Sequence, residues 1–250
     1  MTEESISVAC QEGKLLTVKS LLSRDPRLSI KPDSDERYPL HWAVSYQRVE
    51  IVKMLLDPFV VSSKEISGGE SATDLRPKKF DIDIDDMVDG GGWTPLHVAA
   101  SVGNIEVLEL LLAHTPKPDV NQQTSGGQTP LHFAVSKNLP QIAEVLVCKA
   151  GASTRLKDKL GQYPIHRAAS IGSLRLLKLL VEHGKSPVGA KDSYGWTPMH
   201  HAMAEGHGDF AVELVKLGAD PHAVDSEGKT PVQVAVDAKV AQFFRENCDV

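Results

Sequence analysis

Histidine is the residue type that most invites a chemical role in this sequence. The chain has ten histidines and three cysteines, and these side chains commonly bind metal ions or take part in nucleophilic catalysis. Five histidines occupy one position of a repeated phrase, so each belongs to its own copy and they cannot converge on one ion: His41, His97, His132, His166 and His200. Without a Cys-x-x-Cys pair or two histidines four residues apart, the sequence predicts neither a metal site nor another cofactor.

Two short motifs resemble the end of a phosphate-binding loop. They are Gly-Lys-Ser at residues 184–186 and Gly-Lys-Thr at residues 228–230. A phosphate-binding loop also needs a glycine five residues earlier, where this chain has Leu179 and Ala223. Because the chain also lacks a Gly-x-Ser-x-Gly motif and a credible cysteine–histidine pair, the sequence predicts a protein that is not an enzyme.

A repeated six-residue phrase organises the chain. It reads Thr-Pro-Leu-His-Val-Ala at residues 94–99 and Thr-Pro-Leu-His-Phe-Ala at residues 129–134. The prolines of its copies are Pro39, Pro95, Pro130, Pro164, Pro198 and Pro231. Their spacings are 56, 35, 34, 34 and 33 residues, and a copy without proline surrounds Ala9. A period near 33 residues indicates a repeat architecture.

Each copy has the residues of two helices joined by a short loop. Proline suits the first turn of a helix, because its missing N–H would be unpaired there anyway. A glycine or polar residue then ends the first helix, and a longer apolar pattern with helical spacing follows. An Asp-x-x-Gly turn precedes the later prolines, as at residues 158–161 and 192–195. Since no copy can bury its apolar face alone, neighbouring copies must stack.

The period and the phrase Thr-Pro-Leu-His-x-Ala resemble the ankyrin repeat over the whole chain. The resemblance implies an all-α solenoid of seven helix-turn-helix repeats with β-turn or hairpin tips, in a single domain over residues 1–250. In this family the histidine of the phrase is structural and bonds neighbouring turns. The first copy and the last, which has Gln233 in place of histidine, are expected to act as caps.

The 56-residue spacing indicates an insertion between the second and third repeats. Residues 57–92 contain nine acidic and four basic residues, a net charge of -5 within a chain total of -6. Their polar, glycine-rich composition predicts a flexible acidic insertion within residues 58–90. The aspartate run at residues 81–86 is interpreted as a solvated loop, because an EF-hand would need Gly and Glu where the chain has Asp86 and Gly92.

The composition also bounds the class of partner. The net charge of -6 argues against a nucleic-acid surface, which would need a basic stripe to neutralise phosphates. An odd number of cysteines without close pairs suits a reducing compartment. The sequence has neither an apolar N-terminal segment nor an apolar run of about 18 residues, so it predicts no secretion signal and no membrane partner.

A binding surface is predicted where the repeat leaves side chains without packing work. In an ankyrin stack the turn tips and the exposed face of the first helix line a concave groove. Two positions of each copy face that groove: the residue two before the proline, and the residue before the end of the first helix. Aromatic and basic residues there are typical of interface anchors, and the predicted partner-binding residues are Glu12, Arg37, Tyr46, Trp93, Lys137, Ile171, Tyr194, Trp196, Glu205 and Lys229.

Several longer stretches resemble gankyrin and its fungal counterparts, a family of assembly chaperones of the proteasome regulatory particle. They are residues 35–43, 92–97 and 166–174, and residues 195–198 with 204–209 are similar to the fungal form in particular. The resemblance implies a monomer in the cytoplasm and nucleus that binds the C-terminal helical domain of one AAA+ ATPase subunit. By doing so, it would keep an assembly intermediate from docking prematurely on the proteolytic core.

The resemblance carries over to particular residues. Arg37 and Lys137 match basic residues that, in the family, face acidic side chains of the ATPase. Animal members carry a Leu-x-Cys-x-Glu stretch for the retinoblastoma protein, but residues 201–205 here read His-Ala-Met-Ala-Glu, so that partner is not expected. The alternative function is a generic ankyrin-repeat adaptor or scaffold for another protein, although adaptors usually carry a second functional module.

Overall fold

The structure is a computed structural model that describes residues 5–59 and 80–248. It divides into two compact units, residues 1–119 and 120–250. Within the described residues, both units consist of helices and turns without a β-strand, which confirms the predicted all-α class. The helices described there are all too short or too polar to span a lipid bilayer. One continuous domain over the chain stays a prediction.

Within residues 5–59 and 80–119, the first unit has three pairs of helices. They are α1 (Ile6–Glu12) with α2 (Leu15–Arg24), α3 (Pro39–Ser45) with α4 (Val49–Leu56), and α5 (Pro95–Val102) with α6 (Ile105–Leu112); a 3₁₀ turn at Pro26–Ile30 follows α2. Helix α3 packs between α1 and α5, and α4 packs between α2 and α6. The two rows of helices bury Leu22, Leu40, Ile51, Leu96 and Leu108 completely or nearly so.

The second unit repeats this arrangement. Its pairs are α7 (Pro130–Ser136) with α8 (Pro140–Glu144), α9 (Pro164–Ser170) with α10 (Leu174–Lys178), and α11 (Pro198–Ala204) with α12 (Gly208–Lys216); a 3₁₀ turn (Pro231–Val234) and α13 (Ala238–Cys248) form the last copy. Helix α9 packs between α7 and α11, and α10 between α8 and α12. Helix α13 packs on α12 and buries Phe244, so the last copy caps the unit as predicted.

The repeated histidine fixes the start of each first helix. In α5, His97 Nδ1 accepts the backbone N–H of Thr94 at 3.1 Å, and the Thr94 hydroxyl accepts the backbone N–H of His97 in return. The Nε2 atom of the repeated histidine reaches the next copy. In α3, for example, His41 Nε2 donates to the Trp93 carbonyl at 2.8 Å. Because Nδ1 accepts a backbone N–H and Nε2 faces a carbonyl oxygen, the ring must be neutral and carry its proton on Nε2. The predicted structural role of this histidine is confirmed.

An extra residue in two copies is absorbed inside a helix. The copies that begin at Pro130 and Pro164 are 34 residues long, whereas the copy at Pro198 has 33. Helix α8 continues as a π-helix over Val145–Ala150, and α10 continues as one over Leu179–His183, while α12 stays α-helical. Because a π-turn holds one residue more than an α-turn, the added residue widens the helix and leaves the next loop in place.

The end of the insertion is packed against the first unit. Ile82 and Ile84 are 5% and 0% exposed, and the His114 ring lies 2.7 Å from the Ile82 carbonyl oxygen. The prediction of a flexible acidic insertion within residues 58–90 does not hold for the last part of that range, residues 80–90, where alternate residues enter the core. Residues 60–79, which carry the rest of that prediction, lie outside the described residues.

The two described ends of the insertion meet each other. The rings of Phe59 and Phe80 are 4.9 Å apart between centroids and pack edge to face at 70°. Such a contact contributes about 0.5–1.5 kcal/mol beyond simple burial. Phe59 and Phe80, which flank residues 60–79, therefore lie next to each other in the first unit.

Candidate protein-binding surface

Aspartate-led turns form the tips of the repeats. In the turn that begins at Asp192, Oδ1 accepts the backbone N–H groups of Tyr194 and Trp196, both at 2.9 Å. Asp158 and Asp225 hold their own turns in the same way. The carboxylate thereby fixes the backbone two residues before each proline, which is one of the positions predicted to face a partner.

Glycine in these turns allows the tips to approach one another. Gly195 has a φ of +77°, and a Cβ on it would lie 2.7 Å from the backbone nitrogen of Ser226. The two tips come this close because Ser226 donates its N–H to the Tyr194 carbonyl at 3.1 Å. Ser193 donates likewise to the Leu160 carbonyl at 3.0 Å. In the second unit, successive tips are therefore joined backbone to backbone.

The second oxygen of the turn aspartate binds side chains from the predicted surface. Arg37 Nε lies 3.4 Å from Asp89 Oδ2, and Trp196 Nε1 donates to Asp225 Oδ2 at 3.2 Å. In both pairs the aspartate belongs to the following repeat. The expectation that Arg37 and Trp196 have no structural work is wrong, because each side chain ties its own tip to the next one.

Arg37 belongs to an aromatic cluster in the first unit. Its guanidinium carbon lies 4.9 Å from the centre of the Trp42 ring, and the Tyr46 ring, whose residue is 50% exposed, is 6.5 Å from Trp42. The Arg37 side chain is 34% exposed. Within the described residues its two terminal nitrogens have no hydrogen bond, so they can bind a carboxylate of a partner.

Acidic side chains hold this cluster in place. Asp33 Oδ2 accepts the indole N–H of Trp42 at 2.6 Å. Burial alone would raise the pKa of Asp33, yet hydrogen bonds from Trp42 and from the backbone of Arg37 and Asp35 hold that pKa below its usual value. Asp33 is therefore ionised at neutral pH and keeps Trp42 oriented under Arg37.

The other predicted residues of the first unit differ in how they relate to this cluster. Asp89 joins Trp93 to it, since Asp89 Oδ1 accepts the Trp93 backbone N–H at 2.9 Å while Oδ2 pairs with Arg37. Trp93 is half-buried, and its ring is 6.3 Å from that of His97. Glu12 ends α1 and pairs with Lys14 at 2.6 Å. The structure thus groups Arg37, Tyr46 and Trp93, and gives Glu12 a separate ion pair.

Trp196 is the centre of the corresponding cluster in the second unit. Its ring meets the His201 ring edge to face at 5.1 Å and stacks with His200 at 6.1 Å. His201 Nε2 lies 2.9 Å from Asp192 Oδ2. Burial would raise the pKa of Asp192, but the hydrogen bonds from His201 and from the turn backbone keep that pKa below its usual value. Trp196 is therefore held rigidly, while Tyr194 beside it is 63% exposed.

The remaining predicted residues of the second unit end helices or turns. Lys137, Ile171 and Glu205 follow α7, α9 and α11 directly. Lys137 and Glu205 are exposed and form no ion pair within the described residues, whereas Ile171 is half-buried. Lys229 pairs with Glu227 at 2.7 Å. The ends of α7 and α11 thus offer one unpaired cation, Lys137, and one unpaired anion, Glu205.

Sequence reasoning missed one arrangement that looks catalytic. Ser170, His201 and Asp192 lie in the order of a serine-hydrolase triad. However, the Ser170 hydroxyl is 3.5 Å from His201 Nδ1 and donates instead to the His166 carbonyl of its own helix at 3.2 Å. The His201 ring also packs edge to face on His166 at 5.6 Å. These contacts make Ser170 and His201 part of the packing between α9 and α11.

Comparison with known families identifies the repeat. A three-copy model described as ankyrin repeats matches residues 66–158 and 148–225, and a many-copy ankyrin-repeat model matches residues 6–56. Among solved structures, the ankyrin repeat domain of Bcl-3, described as a unique member of the IkappaB protein family, is 25% identical with a TM-score of 0.73. That likeness covers 98% of this chain and 99% of the Bcl-3 domain, so it supports the predicted fold.

Similarity in sequence extends to proteasome regulatory subunits of other organisms. The chain is 43% identical over 248 residues to a probable 26S proteasome regulatory subunit p28 of Saccharomyces cerevisiae, covering 99% of this chain and 100% of that protein. It is 31% identical over 110 residues to a 26S proteasome non-ATPase regulatory subunit 10 of Dictyostelium discoideum, covering 44% of this chain and 38% of that protein.

Proposed function

Because the chain belongs to the gankyrin family of ankyrin-repeat proteins, we propose that it associates with the proteasome regulatory particle as an assembly chaperone. It binds the C-terminal helical domain of one AAA+ ATPase subunit and thereby masks that subunit. The masked intermediate cannot dock on the proteolytic core until the chaperone leaves. Under this proposal the protein works in the cytoplasm and the nucleus.

The observation that carries the proposal is that the Arg37 side chain is preorganised to bind an acidic ligand. The guanidinium rests on Trp42 and is anchored through Nε by Asp89, so its terminal nitrogens are held before a ligand arrives. A side chain already fixed in its binding conformation loses less entropy on association. A carboxylate that meets these nitrogens forms a charge-assisted pair, which is the strong kind of polar contact at an interface.

The second unit supports the same mode of binding. Lys137 presents an unpaired cation at the end of α7, and Tyr194 and Trp196 present aromatic surface at one tip. Aromatic residues and arginine contribute most strongly to binding when a partner removes them from water. Steric masking needs no catalytic group, and it is the action expected of a ligand-binding surface alone.

The proposal is tested with the purified full-length protein and the C-terminal domain of each base ATPase in turn. Calorimetry should find one domain that binds saturably and leave the others unbound. In native gels, adding the protein to purified base should then slow its joining with the core particle. Absence of binding to every domain would refute the proposal. Binding without any delay of joining would refute the masking mechanism and favour an adaptor.

A further inference from the structure

Residues 149–191 carry a concentration of positive charge that the rest of the chain does not share. This span has nine lysines and arginines against two acidic residues, while the whole chain has 27 basic and 33 acidic residues. One of the two acids, Asp158, is buried and already paired with Arg167 at 2.9 Å. The other is Glu182. Asp192, which follows Lys191 directly, is likewise buried and bonded to His201, so the exposed cations of this span have little exposed opposite charge nearby in sequence.

Five of these cations lie on two neighbouring loops of the second unit. The loops are joined at one end by Thr154 Oγ1, which donates to the Gly184 carbonyl at 2.6 Å, and at the other end by the bond from Ser193 to Leu160. Between these ends, both loops expose basic side chains. We name them the basic loop patch, and its members are Arg155, Lys157, Lys159, Lys185 and Lys191.

The patch lacks neutralising partners. Within the described residues, none of its five side chains forms an ion pair. Arg155 donates to the Lys185 carbonyl at 3.3 Å, Lys185 to the Glu182 carbonyl at 2.8 Å and Lys191 to the Val224 carbonyl at 2.6 Å. These bonds orient the cations without cancelling their charge. Like charges on two neighbouring loops repel one another, so an anion bound among them would be favoured.

Apolar side chains adjoin the patch at the tips. Leu160 is 45% exposed and Tyr194 is 63% exposed, and the bond from Ser193 to the Leu160 carbonyl brings these two tips together. Lys157 Nζ also lies 5.2 Å from the centre of the Tyr163 ring. A ligand that covers the patch therefore meets both cations and apolar surface.

We propose that the basic loop patch binds an acidic peptide segment of a partner protein that also carries apolar side chains. A peptide of this kind can pair its carboxylates with the five cations and bury Leu160 and Tyr194. A nucleic acid fits less well, because it offers no aliphatic side chains to cover Leu160 beside the cations. The inference does not depend on the Arg37 cluster, and Tyr194 is the one residue that both surfaces share.

The test uses the full chain and a labelled peptide of three Glu-Leu-Glu-Asp repeats, with fluorescence anisotropy as the readout. The variant replaces Lys157, Lys159 and Lys185 by Gln. A matched control replaces Lys178, Lys216 and Lys239, which are exposed lysines of the same unit outside the patch. The peptide should bind the control within about twofold of the wild type and the patch variant about tenfold more weakly.

Two further probes separate the sources of binding. A peptide of three Gln-Leu-Gln-Asn repeats should bind poorly, and a single-stranded oligonucleotide of equal length should bind more weakly than the acidic peptide. The inference is overturned if the acidic peptide does not bind saturably, if the two triple variants bind it equally, or if the oligonucleotide binds as tightly. Thermal unfolding of both variants should match the wild type, since exposed lysines contribute little to stability.

Discussion

The guanidinium of Arg37 lies over the Trp42 ring, 4.9 Å from its centre, while the same indole is tied through Nε1 to Asp33. These two contacts explain why the Arg37 side chain keeps one conformation on the surface before a partner binds. An exposed cation–aromatic contact contributes roughly 0.5–1 kcal/mol. The Arg37 anchor is therefore built by residues of its own turn and first helix, together with Asp89 of the next turn.

The repeated histidines should make folding stability depend on pH. Burial lowers the pKa of His41, His132, His200 and His166, the last to about 4. In the unfolded chain a histidine takes up its proton near pH 6.5, so these groups destabilise the fold as pH falls from there toward their folded pKa. The test variant is His166→Gln, which copies Gln233 of the last repeat. Between pH 7 and pH 5 its free energy of unfolding should fall by roughly 1–2 kcal/mol less than that of the wild type. Urea unfolding at several pH values measures this, and an equal pH slope for both proteins would contradict it.

Glu36 is a place where the fold can be stabilised. It has a φ of +59° in the turn from Asp33, where five other turns have glycine: Gly92, Gly127, Gly161, Gly195 and Gly228. The free energy gained by relieving that strain exceeds the entropic cost of a more flexible unfolded chain. Glu36→Gly should therefore raise the free energy of unfolding by roughly 0.5–1 kcal/mol. Asp35→Gly in the same turn is the control and should give no gain, because Asp35 has no positive φ. Denaturant unfolding of both variants decides the matter, and a loss of stability in Glu36→Gly would show that the side chain contributes to the fold.

Deleting Cys148 should restore a regular helix. The residue is exposed within the π-helical turn that holds the extra residue of its copy. Its removal should leave the buried Ile142 and Ala143 in place and shift the unfolding midpoint by only about 1–3 °C. Deleting Gln141 instead moves those core residues out of register, so it should cost several degrees more. Equal destabilisation by both deletions in thermal unfolding would contradict this account of the π-helix.

The contact between Phe59 and Phe80 allows the insertion to be removed. Replacing residues 60–79 by two glycines should leave unfolding cooperative and nearly as stable, because the two ends already meet at one place. Ile84→Ala is the contrasting variant: its side chain is completely buried, and the change should cost about 2–5 kcal/mol. If the deletion destabilises the protein as much as Ile84→Ala, residues 60–79 contribute to the core.

The helices were predictable because each proline, histidine and apolar position acts within its own copy. Local rules of capping and periodicity place Thr94, Pro95 and His97 without knowledge of any neighbour. The packed end of the insertion escaped prediction for the opposite reason. Acidic residues dominate residues 80–90, whereas Ile82 and Ile84 are buried in a segment that bonds to His114, which is distant in sequence.

The repeat predicts where the residues of the proposed binding surface lie, but not which side chains they contact. The repeat indicates which residues lie near the tips, and Tyr194 and Lys137 are exposed there as expected. It does not reveal that Asp225 binds the Trp196 indole, since the same carboxylate also holds its own turn and sequence shows only the turn. Nor does the spacing of 34 residues indicate that the added residue enters a helix.

The most direct test of the proposed function is the affinity of Arg37→Glu for the ATPase C-terminal domain, measured by calorimetry. Arg27→Glu, an exposed arginine of the same unit outside the predicted surface, is the control for the change in charge. The account predicts that Arg37→Glu weakens binding by about 2–5 kcal/mol and lowers the free energy of unfolding by only about 1–2 kcal/mol, the part due to its lost contacts with Asp89 and Trp42, while Arg27→Glu binds and unfolds normally. Equal affinities of the two variants would contradict it.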